Sequence, residues 1–235
     1  MIPLGNFFFK HRNALFPLAL LLLFVPSGKV FADWRIAALL GGTLVVFGQL
    51  IRGVTVGLVY IVRGGREGKV YAKDLVTDGM FTHCRNPLYV GNYLGILGAL
   101  FASNSVIALT VGGTFFLIVY MGITLAEEDF LRGKFGGAYE EYCANVPRFA
   151  MKFAGLGGTL KASEFNWSRL LLKEYGTMFV SLAGIPMVLL FTRHYLHHLP
   201  WWEDGWDQAL LIVTGLLLVA YAIARWLKKS GRVQE

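Results

Sequence analysis

Two stretches of the chain gather side chains that could do chemistry. The first is LVTDGMFTHCRNPLYVGNYLG, Leu75 to Gly95. Asp78-Gly79 is a turn signal. Asn86 precedes Pro87 and is pushed away from the helical region, whereas proline can occupy the first helical position, so a helix is predicted to open at Pro87. Its free N–H groups and positive dipole end would suit a carboxylate or another anionic group. Tyr89 and Tyr93 share a face, and Gly91, Gly95 and Gly98 allow a helix or a ligand to approach closely. An interfacial tyrosine belt with small-residue packing accounts for the same residues. The second stretch, Ala126 to Phe149, opens on Glu127, Glu128 and Asp129, which can hold a cation or form a solvated acidic cap. Leu131, Phe135, Ala138, Tyr139 and Tyr142 then recur at helical spacing, predicting a helix lying on a membrane surface.

Three further features carry candidate chemistry. Arg52 sits inside an apolar run with Gln49 on nearly the same face. An ionisable residue there is a functional-site hypothesis: it could bind a substrate phosphate or carboxylate, snorkel, or pair with Glu128. His194, His197 and His198 with Glu203 and Asp204 have ligand types that suit a metal. Trp201, Trp202 and Trp206 beside them read instead as an aromatic belt, and no metal site is predicted. Cys84 and Cys143 are too few for a disulfide framework and lack zinc-site spacing.

The elements that must position these groups follow from composition. Hydrophobic residues make up 55% of the 235 and charged ones 16%, against roughly 25% charged in soluble domains; mean hydropathy is +0.54. This is an all-α, polytopic membrane protein, and neither a soluble domain nor a disordered chain fits. Six spans are expected: Ala14 to Pro26 extended on both sides, Ile36 to Val62, Leu88 to Ala102, Val106 to Ala126, Tyr175 to Thr192, and Gln208 to Leu227. A signal peptide competes for the first, but no convincing cleavage site follows Pro26. Ser103, Asn104 and Ser105 make spans three and four a tight hairpin. With the N-terminus inside, 18 Lys and Arg lie on inner segments and 3 on outer ones, which puts both termini in the cytoplasm. The net charge of +7 then reflects basic inner loops, not a nucleic-acid surface. The two chemistry-bearing stretches flank the hairpin on one side and should meet.

Together the stretches resemble the integral-membrane methyltransferases that include isoprenylcysteine carboxyl methyltransferase and phosphatidylethanolamine N-methyltransferase. The resemblance rests on Leu75-Val76-Thr77-Asp78-Gly79, Phe81, Arg85-Asn86-Pro87-Leu88-Tyr89-Val90-Gly91, Glu127-Glu128-Asp129-Phe130-Leu131, Phe135-Gly136, Tyr139-Glu140-Glu141-Tyr142 and Val146-Pro147. It covers a core of residues 73–148 within one membrane domain, residues 1–235, and leaves a C-terminal helix pair, residues 175–227, without a family counterpart. The resemblance implies S-adenosylmethionine as cofactor, held on the cytoplasmic side. The implied contacts are Lys73, Asp74, Leu75, Val76, Phe81, Asn86, Pro87, Leu88, Tyr89 and Glu127, with Arg66 a weaker addition.

One position departs from the pattern. Prenylcysteine-type members carry an Arg one turn before the Glu-Glu pair, where it engages the substrate carboxylate; here it is Ile123. Phospholipid-type members are also apolar there and share Asn92-Tyr93-Leu94-Gly95. The expected acceptor is therefore a lipophile from the bilayer, a lipid amine headgroup ahead of an isoprenylcysteine-like carboxylate. Catalytic candidates are Glu128, His83 and Arg52, with Tyr89 as a further base or orienter. A non-catalytic transporter on the same scaffold is the rival.

Overall fold

The computed structural model describes residues 1–60 and 70–234, so Arg63, Arg66 and Lys69 of the basic loop lie outside the described residues. It contains α1 (Ile2–Leu20, continued by a tight turn Leu21–Phe24), α2 (Trp34–Leu58), α3 (Pro87–Ala102) and α4 (Gly113–Phe135, entered through a wide turn Ala108–Gly112). These are followed by α5 (Gly137–Asn145), α6 (Leu156–Ala162), α7 (Trp167–Phe191, continued to Leu196) and α8 (Trp206–Lys229). The protein is a polytopic helical membrane protein. Five of the described helices are long and apolar enough to cross a membrane.

The third expected span, α3, forms but is only 16 residues long. The first span begins at Ile2 and not Ala14, so Lys10 and Arg12 are helical. The fifth begins at Trp167, eight residues before Tyr175, and so takes Lys173 and Glu174 into the helix.

α2 and α3 pack most closely of all the described helices. Gly41 and Gly48 face Gly98 and Gly91, and a Cβ on Gly98 would stand 2.5 Å from the Gly41 carbonyl oxygen. The backbones touch because no side chain intervenes. The glycines of α3 therefore admit a neighbouring helix. α1 meets α4 through Gly5 on Gly122 and through Phe16 edge-on to Phe116 and Tyr120. α7 packs on α2 and α3, and α8 on α7.

The α3–α4 hairpin closes through Asn104, whose left-handed φ of 52° is one asparagine tolerates. Its side chain accepts from Phe31 N (2.8 Å), donates to Phe31 O (2.9 Å) and reaches His197 Nε2 (2.8 Å). The adjoining cap holds Arg193 fully buried between Asp204 (2.6 Å), Asp207 (3.1 Å) and the Trp34 ring. His194 pairs with Asp207 and stacks on Trp201. The expected histidine cluster is thus split between two hydrogen-bond networks. Among the described residues no three His, Cys, Asp or Glu side chains converge as a metal site.

Candidate active site

The two chemistry-bearing stretches meet. Gly79 turns at φ 57°, as Asp-Gly predicts, and α3 opens at Pro87 behind Asn86. Against this loop lies α5. Gly136, at φ 54°, breaks the expected single amphipathic helix in two, and α5 packs back on the loop. Tyr139 is buried and the Tyr142 hydroxyl donates to Phe81 O at 2.7 Å. Burial raises both phenols well above the ordinary tyrosine value. Arg85 N donates to Pro147 O at 3.0 Å, and Asn86 Nδ2 to Arg148 O at 3.2 Å. Lys134 on α4 reaches the carbonyls of Ala72 and Lys73 and fastens the incoming segment.

These contacts enclose a cavity of about 1110 Å³, larger than a single drug-sized ligand needs. Lys73, Asp74, Leu75, Val76, Phe81, Asn86, Pro87, Leu88, Tyr89 and Glu127 all line it. Glu127 accepts the Tyr89 hydroxyl at 2.6 Å. Tyr120 stands 5.6 Å from Tyr89, ring to ring, and buried Ile123 adds an apolar patch.

The three catalytic candidates are disposed differently. Glu128 reaches the cavity wall, but its oxygens accept from Arg148 Nε and Nη2 (3.0, 3.1 and 2.7 Å) and from Arg85 (3.0 Å). Those hydrogen bonds raise the Arg148 guanidinium further above its ordinary value. Glu128 thus joins α4 to both motif segments. His83 is buried away from the cavity lining, its ring nitrogens on Lys152 O (2.7 Å) and Thr159 Oγ1 (2.8 Å). Arg52 lines the cavity but neither snorkels nor pairs with Glu128. It makes a two-pronged ion pair with Glu174 of α7 (2.8–3.0 Å) and contacts Asn92.

Asn92 of the phospholipid-type motif lines the cavity too, and several lining residues escaped the sequence reading: Arg12, Asn13 and Phe16 of α1, Tyr120, and Lys173 and Thr177 of α7. Phe9, Arg12 or Asn13, and Phe16 recur at helical spacing, a signal that was available had α1 been read from its true start.

Residues 36–138 match the phospholipid methyltransferase family. The matched segment is less than half of the chain. It supplies α2, α3, α4 and the loop before α3, while α1 and α7 close the cavity from outside it. The chain is also 25% identical over 150 residues to the nickel-cobalt-cadmium resistance protein NccN of Alcaligenes xylosoxydans xylosoxydans, covering 63% of this chain and 68% of that protein. It is 30% identical over 150 residues to the cobalt-zinc-cadmium resistance protein CzcN of Cupriavidus metallidurans, covering 62% and 66%. No solved structure is a significant match.

Proposed function

We propose that the protein transfers the methyl group of S-adenosylmethionine to a lipophilic acceptor, a lipid amine headgroup, at a site on the cytoplasmic side. The observation that carries this reading is the convergence of all ten family-implied cofactor positions on one cavity. The donor set fits the cofactor: a carboxylate with an aromatic hydroxyl, further aromatic faces, and the first N–H groups of α3. S-adenosylmethionine, when bound, supplies a cationic, electrophilic methyl group. Glu127 and the rings of Phe81 and Tyr89 would face its positive charge, and the opening turn of α3 would take its carboxylate. Lys73 to Val76 and Asn86 would hold the remainder.

For the acceptor, Phe9, Phe16 and Ile123 exclude water from the adjoining wall and leave chain positioning as the main contribution. Ile123 gives a carboxylate no cationic partner at that point, which favours the amine over an isoprenylcysteine-like acid. An ammonium acceptor must also release a proton. The Tyr89 hydroxyl can take it while passing its own proton to Glu127 Oε1. Calorimetric titration with S-adenosylhomocysteine tests the cofactor; no binding at millimolar ligand refutes it. Radiolabelled transfer into total membrane lipid tests the acceptor. Base-stable label in an amine headgroup is expected, and label released as methanol would mean an ester.

The resemblance to two metal-resistance proteins favours a second reading, metal tolerance through the same scaffold without methyl transfer. Titration with cobalt in parallel separates the two. Heat from cobalt alone would favour the second.

A further inference from the structure

Between α5 and α7 the chain runs over the outside of the motif loop, and its surface pattern is unlike a solvated connector. Phe153 is 76% exposed and Trp167 73%, with exposed Leu160 between them. Lys152, Lys161 and Glu164 stand exposed among them. The segment is held at the level where a span ends, because Asn166 N donates to Gly57 O at 2.8 Å in the last turn of α2. Large apolar side chains interleaved with lysines at that level match the aromatic and snorkelling pattern of the bilayer interface.

The inner side of the same segment is hydrogen-bonded to the cavity loop through His83. Lys152 N donates to His83 O at 2.9 Å, while the His83 ring joins Lys152 O and Thr159 Oγ1. Next to it in sequence, Cys84 Sγ faces the carbonyls of Arg148 and Phe149, and Arg85 bonds Glu128.

We propose that residues 150–167 are an interfacial arm seated on the lipid headgroup layer beside the cavity, and that His83 is the positioning residue coupling this seating to the loop before α3. The inference rests on the membrane architecture and is independent of methyl transfer. It accounts for a buried histidine with both nitrogens engaged on a segment whose opposite side is apolar and exposed.

The test uses the full-length protein in phospholipid nanodiscs. A benzophenone side chain placed at Leu160 should give a phospholipid adduct on irradiation, read by intact mass. Adducts with a second protein chain, or none at all, would overturn the docking claim. Hydrogen exchange then reads the coupling. Phe153→Ser with Trp167→Ser should speed exchange of the amides of residues 83–85 several-fold while α2 and α3 stay protected. Thr159→Val should do the same without loss of the Leu160 lipid adduct, because it removes a His83 partner and leaves the apolar face intact. Unchanged exchange at residues 83–85 in both variants would overturn the role given to His83. Failure of S-adenosylhomocysteine to bind the wild type would refute the proposed function and leave these readouts standing.

Discussion

The Arg52–Glu174 pair gives the sharpest test of how the cavity is built. Glu174 is fully buried and Arg52 6% exposed. Three contacts of 2.8 to 3.0 Å bind the guanidinium edge to the carboxylate. Removing one member of such a pair leaves an uncompensated buried charge, at a cost of about 3–5 kcal/mol. Arg52 borders the cavity and keeps Asn92, so water can relieve part of that charge and the lower figure applies. Glu174→Ala should therefore lose about 3 kcal/mol. Replacing both residues with apolar ones of similar size (Arg52→Met with Glu174→Leu) should be nearly neutral, since the pair's attraction only offsets its desolvation. Reversible unfolding in mixed dodecyl maltoside and dodecyl sulfate micelles measures all three proteins. A single mutant within 1 kcal/mol of wild type, or a double mutant as unstable as the single, would refute the argument.

Glu127→Gln should weaken S-adenosylhomocysteine binding by about 1.5–3 kcal/mol, or about ten- to 150-fold, in a protein that still folds; calorimetry reads it directly. Gly98→Ala, which drives a Cβ to 2.5 Å from the Gly41 carbonyl oxygen, should cost about 1–3 kcal/mol in the same unfolding assay, while Gly215→Ala, which meets open space, should not destabilise. Burial, with nearby Lys29, lowers the His197 pKa below its ordinary 6.5, so the folded state binds fewer protons than the unfolded one. Stability should be full above about pH 6.5 and fall as pH drops below it. His197→Gln should flatten that dependence in thermal-shift curves.

The apolar helices, the tight hairpin and the opening of α3 at Pro87 were legible because each rests on a local signal: run length, polar turn residues, an Asn-Pro step. The meeting of the two motif segments followed from the hairpin between them. What escaped depends on partners far apart in sequence. Glu174 looked like the polar end of a loop because nothing nearby shows that Arg52, 122 residues earlier, would neutralise it. Glu128 and His83 have the side chains of proton acceptors. Their assignment turned on Arg148, Lys152 and Thr159, whose approach no periodicity encodes. Gly136 was a legible break that the helical spacing on both sides concealed.

On the proposed reading, the shortness of α3 sets the depth at which methyl transfer takes place. Sixteen residues rise about 24 Å, against a hydrocarbon thickness of about 30 Å. A helix of that rise whose Asn104 end, capped by the loop at Phe31 and by His197, reaches one bilayer surface would leave its Pro87 end recessed below the other. Each methylene drawn from hydrocarbon into water costs about 0.8 kcal/mol. A lipid raised to a site at the surface would bear that cost for every carbon exposed. In the recessed site the acyl chains can stay in the hydrocarbon, and on the proposed reading the water-soluble cofactor makes the journey instead.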